Sequence, residues 1–182
     1  MGSNVLLKAL NVGGVNIVGI MLAAALLLLL PLLAMQITDE VTWTLADFVI
    51  AWALLVGAGL TYKLATRKAG NTAYRVAVGV AVATALILVW LNLAVGLIGT
   101  EENPANLMYV GVLAVGIIGT VIARFRPDGM ARALFATALA QLLVGVIALF
   151  TGLGFTLILD GSFAALWVGS ALLFRRAARE PN

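Results

Sequence analysis

Apolar residues fill this chain in six long blocks, broken by short polar stretches. The blocks lie near 15–35, 46–64, 74–98, 107–123, 131–150 and 155–174. At about 1.5 Å per residue, each can cross a hydrocarbon core of about 30 Å, the fourth being the shortest and near the lower limit. Lipid cannot satisfy free backbone groups, and the strict alternation of a barrel strand is absent, so helices are the form such blocks must take. The pattern predicts an all-α fold, a polytopic transmembrane helix bundle of about six spans forming a single transmembrane domain over residues 1–182. The first block resembles a signal peptide only superficially. Its run "AAALLLLLPLLAM" is longer than a usual apolar signal core and no small-x-small site follows at "QITDEV", so it reads as an uncleaved helix, bent by Pro31.

The polar stretches alternate in sign. "KLATRKAGNTAYR", "ARFRPDGMAR" and the tail "RRAARE" hold every basic residue except Lys8, whereas "QITDEVTW", "GTEENPAN" and "TGLG" hold none. Positive residues mark cytoplasmic loops, which predicts both termini in the cytoplasm and three loops outside. Asp39, Glu40, Asp47, Glu101, Glu102 and Asp160 fall on or near the outer side, and only Asp128 and Glu180 fall inside. The insertion rule does not require that acidic bias. Asp39, Glu40, Glu101 and Glu102 therefore form a candidate acidic outer mouth, able to concentrate cations or dock a basic partner.

Composition sharpens the picture by exclusion. Hydrophobic residues make up 63% of the chain and charged ones 10%, far below the roughly 25% charged of a soluble domain. With no cysteine and no histidine, the chain lacks thiolate metal sites, the usual haem ligand and the commonest acid–base catalyst. No P-loop, dinucleotide fingerprint or Gly-x-Ser-x-Gly occurs. No cofactor or metal is expected. The pI near 9.7 follows from the cytoplasmic loops, so no nucleic acid partner is expected either.

Several polar residues have a structural explanation. Asn103 followed by Pro104 reads as a helix start, with Glu101 and Glu102 beside its positive dipole end. Thr44 with Asp47 three residues on, "TLAD", fits a capping box, and Asp128 is expected to cap the fifth helix. Asp160 is different. If the sixth helix starts near Phe155, Asp160 lies more than one turn inside it, where an ionisable residue signals function. A turn at "LDGS" with Ser162 as N-cap is the competing reading, but it leaves the 13 residues to Phe174, roughly 20 Å of helix and too short to span. Asn92 and Gln141, inside the third and fifth blocks, can hydrogen-bond between helices. Together with Asp160 they form a candidate polar pathway or partner contact. The near-repeat "LAVGLIGT" (93–100) and "LAVGIIGT" (113–120) lies on oppositely directed helices at different depths and reads as coincidence in a restricted alphabet.

The phrases "PLLAMQ", "VTWTLADFVIAWALL", "AYRVAVGVAVATALILVWLNLAVGLIGTEENPANLMY" and "ARFRPDGMARALFATALAQ" together resemble an uncharacterised family of small multi-pass bacterial inner-membrane proteins, over roughly residues 30 to 142. That resemblance implies a bacterial inner-membrane setting and no particular activity. The expected function is that of a non-enzymatic membrane subunit packing against partner proteins, lipids or itself as a homo-oligomer. The alternative is a small channel or transporter for a cation or small solute. An integral membrane enzyme is least supported.

Overall fold

The computed structural model describes residues 17–38, 42–67, 69, 71–100, 102–152 and 156–180. Its helices are α1 (Ile17–Ile37), α2 (Leu45–Thr66), α3 (Thr72–Ala94), α4 (Met108–Ala123), α5 (Pro127–Phe150) and α6 (Leu157–Arg179), with a short 3-10 helix (Pro104–Leu107) leading into α4. No strand occurs among the described residues. Counting the 3-10 turn with α4, six helices among the described residues are long and apolar enough to cross a membrane. The chain packs as two compact units, residues 1–67 and 68–182.

The first unit is the helix pair α1 and α2. Only Ala24 of α1 is buried, so this helix presents apolar side chains nearly all round. That is the surface of a helix meant for an apolar medium. Gly59 of α2 makes room for Ile20, because a Cβ there would lie 2.6 Å from the isoleucine Cγ2. The start of α2 is fixed by its sequence. The backbone N–H of Thr44 donates to Asp47 Oδ2 at 2.7 Å, and the Asp47 N–H donates back to Thr44 Oγ1 at 3.4 Å. Trp43 packs edge-on against Phe48, ring centroids 5.3 Å apart. This is a capping box with its hydrophobic staple. Helix α1 continues through Pro31 to Ile37.

The second unit is an antiparallel group of four. Helix α6 packs against both α5 and α3, and α4 packs against α5. Small residues permit the close approaches. Gly119 of α4 faces Ala133 of α5, where an added Cβ would stand 2.7 Å from the alanine Cβ, and Gly116 faces Thr137. Between α3 and α6, Tyr74 meets Phe174 edge-on at 5.0 Å and the Ser170 hydroxyl donates to the Ala77 carbonyl at 2.7 Å. The α4–α5 turn puts two non-glycine residues, Arg124 (φ 50°) and Phe125 (φ 58°), in the left-handed region. Such strain needs outside support, and the Tyr74 hydroxyl gives it by donating to the Phe125 carbonyl at 3.0 Å.

Three helix ends differ by four or five residues from the sequence expectation. Helix α3 stops at Ala94 rather than near 98, and the chain turns left-handed at Gly96 (φ 66°) and Gly99 (φ 70°). Helix α5 starts earlier than 131, with Arg126 in the cap position and Pro127 as its first residue; proline suits that place because its missing N–H has no helical partner. Asp128 is thus in the first turn and does not cap the helix. Helix α6 extends past Phe174 to Arg179, closed by an Arg176–Glu180 ion pair at 2.8 Å. The consequence for the site is polarity along the unit. Arg75, Arg124, Arg126, Arg132, Arg175, Arg176 and Arg179 gather at one end, at the start of α3 and α5 and the end of α4 and α6, while Glu102 and Asp160 belong to the other.

Candidate functional site

Helix α6 starts at Leu157 rather than near 155, so Asp160, its fourth residue, lies in the first turn and not deeper in the helix as the sequence suggests. Its N–H donates to the Thr156 carbonyl at 2.9 Å, and only 1% of its surface is exposed. Ser162 is exposed inside the same helix and donates to the Ile158 carbonyl, so "LDGS" is helix and not a turn. The space for the carboxylate comes from Gly145 on α5. A Cβ at that glycine would stand 2.8 Å from Asp160 Oδ2 and 3.0 Å from its Cβ.

A hydrogen-bond chain runs from this carboxylate into the helix group. The Gln141 side-chain amide, with no exposed surface, donates to Asp160 Oδ1 at 2.7 Å. Gln141 Oε1 in turn accepts from the Trp167 indole N–H at 3.4 Å. Asp160 and Trp167 are seven residues apart and so share one face of α6, and Gln141 reaches across from α5 to join them. The Tyr109 hydroxyl, from the start of α4, lies 3.5 Å from Asp160 Oδ2. The Thr156 hydroxyl is buried near that phenol without closing a hydrogen bond of good geometry. Three helices therefore meet on one carboxylate. Among the described residues the one ion pair is Arg176–Glu180, so no basic side chain contacts Asp160.

The three-residue polar pathway is only partly assembled. Asp160 and Gln141 are in direct contact, but Asn92 is not with them. Its amide donates to the Asn106 carbonyl at 3.5 Å, and its own Oδ1 is buried without a partner. Asn106 holds the segment after α3. Its Oδ1 accepts from Ile98 N–H at 2.9 Å, and its amide donates to the carbonyls of Thr100 at 2.7 Å and Ile98 at 3.4 Å. Asn103 caps the 3-10 helix as its sequence suggests, accepting from Ala105 N–H at 3.0 Å, with Pro104 in the first position. Of the acidic mouth, Glu102 is an exposed turn residue, and Asp39, Glu40 and Glu101 lie outside the described residues.

Tyr109, Thr156, Gly145 and Trp167 were not singled out by the sequence. One partial signal exists, since Gln141 and Gly145 are four apart and Asp160 and Trp167 seven apart, each pair on a common helix face. Which faces meet is not encoded in that spacing. Among the described residues there is no group of three acidic residues able to hold a metal ion. What the arrangement offers is one carboxylate, two hydroxyl oxygens and a hydrogen-bonded amide in a closed interior. No family model, curated protein or solved structure matches the chain.

Proposed function

We propose that this chain is a non-enzymatic integral protein of the bacterial inner membrane, acting as a structural or interaction subunit that packs against partner proteins, lipids or copies of itself. One observation carries the reading. Most interior polar side chains are engaged within the helix group, Asn92 Oδ1 and Thr156 Oγ1 excepted: Gln141 with Asp160 and Trp167, Ser170 with Ala77, Asn106 with Ile98 and Thr100. Such bonds fix helix positions and leave the outward surface to apolar side chains such as Leu26, Leu30, Ile117, Ile122, Leu139 and Ile158. The proposed orientation puts both termini and the arginine-rich end of the four-helix unit in the cytoplasm, consistent with the positive-inside rule. Insertion accounts for that charge without a nucleic acid. Purification in a mild detergent should bring down a stoichiometric partner or a homo-oligomer. A monomer without partner chains would overturn the subunit reading.

A second reading is favoured by Asp160 itself. A carboxylate inside a membrane helix is costly and marks ion or substrate pathways more often than packing. On this reading the chain carries a cation or small solute, and Asp160→Asn abolishes flux in proteoliposomes. Unaltered flux in that variant would remove Asp160 from any pathway.

A further inference from the structure

We propose that Asp160, Tyr109 and Thr156 bind a small monovalent cation of about the size of sodium. The carboxylate has two unequal oxygens. Oδ1 is taken by Gln141 at 2.7 Å. Oδ2 faces the Tyr109 hydroxyl at 3.5 Å, beyond the roughly 2.5–3.0 Å of a normal O–H···O bond. Oxygens that coordinate one ion at about 2.3–2.6 Å, at near right angles, stand about 3.3–3.7 Å apart. The Tyr109–Asp160 spacing is that of two ligands sharing an ion.

Thr156 supplies the third oxygen. It stands just before α6, one turn ahead of Asp160, whose N–H its carbonyl accepts, and its hydroxyl lies near the Tyr109 phenol. It is 8% exposed, and its hydroxyl is buried without a well-formed hydrogen bond. A buried hydroxyl left in that condition is unfavourable, and a cation is the ligand its lone pairs and those of Oδ2 and the phenol all suit. Gly145 lets the Asp160 carboxylate sit close against α5, where a Cβ would stand 2.8 Å from Oδ2. Charge selects the valence. One carboxylate with neutral oxygens balances a single positive charge, whereas divalent sites gather several carboxylates. A matched pair also avoids an uncompensated charge in an apolar interior.

The site does not require transport, because an ion that never crosses satisfies the same ligands. The full chain in detergent is melted in choline chloride and then in lithium, sodium or potassium chloride at equal ionic strength. Sodium or lithium should raise the melting temperature saturably above choline. Thr156→Val and Tyr109→Phe, which keep shape while removing a ligand oxygen, should raise the half-saturating concentration about tenfold, equivalent to about 1.4 kcal/mol. Asp160→Asn should remove the shift. No cation-specific shift in the native protein, or the native half-saturation in both Thr156→Val and Tyr109→Phe, overturns the site even if Asp160→Asn fails to fold. Flux of the same ion is measured in parallel. Binding without flux keeps the site and sinks the transport reading, and flux without a saturable shift does the reverse.

Discussion

Gln141→Leu should lower the stability of the four-helix unit by about 2–3 kcal/mol, more than the loss of one hydrogen bond. The reason is what the substitution leaves behind. Leucine fits an apolar interior and costs little by itself, but Asp160 Oδ1 loses the amide at 2.7 Å and the Trp167 indole N–H loses its acceptor at 3.4 Å. Both stay buried, Trp167 at 3% exposure. Interhelical hydrogen bonds in membranes average only about 0.6 kcal/mol because the unfolded chain also finds partners. The expected excess comes from orphaning two groups at once, one of them a carboxylate. A double-mutant cycle separates these effects. Asp160→Leu with Gln141→Leu removes the orphaned carboxylate along with the amide and should cost less than the two single losses added. Reversible unfolding in mixed micelles measures all three variants. A Gln141→Leu loss under about 0.5 kcal/mol, or strictly additive losses, would show that the chain of contacts holds nothing in place.

How much of this was legible beforehand depends on which physical constraint governs each feature. The six helices were readable because an apolar run of this length has one backbone solution in lipid. The start of α2 was readable because a capping box is local: Thr44 and Asp47 satisfy each other three residues apart. Asp160 stood out because an acid in an apolar run is expensive wherever it lies. Its partners were hidden for the converse reason. Tyr109 and Trp167 are ordinary residues of apolar helices, and Gly145 is one glycine among 19. They matter only through lateral contacts between α4, α5 and α6, which no spacing within one helix reveals. Only polarity groups Asn92 with Asp160 and Gln141, and polarity does not say which neighbour answers it. Asp128 misled because an acid just before glycine resembles a cap, while Pro127 had already claimed the first helical position.

The near-repeat shows where local sequence stops deciding. "LAVGLIGT" and "LAVGIIGT" differ by one leucine-to-isoleucine exchange. The second copy, 113–120, is helical within α4, whereas the first, 93–100, leaves the helix after Ala94 and turns at Gly96 and Gly99. Intrinsic propensity cannot separate two copies so alike, so tertiary context must. The difference is Asn106, which supplies Ile98 N–H with an acceptor and the Ile98 and Thr100 carbonyls with a donor. Its side chain replaces the backbone partners that a continued helix would have given. Asn106→Ala should therefore cost about 2–3 kcal/mol, since Ile98 has no exposed surface and its freed N–H and carbonyl would be buried without partners. Amide exchange at Ile98 should accelerate with it. Asn106→Asp is the sharper variant, because it retains an acceptor for Ile98 N–H and loses both donors. Exchange at Ile98 should then stay slow while stability still falls. Equal exchange in Asn106→Ala and the native protein would mean that the glycines alone hold the turn. The turn over residues 96–100 owes its shape to Asn106, six residues beyond it.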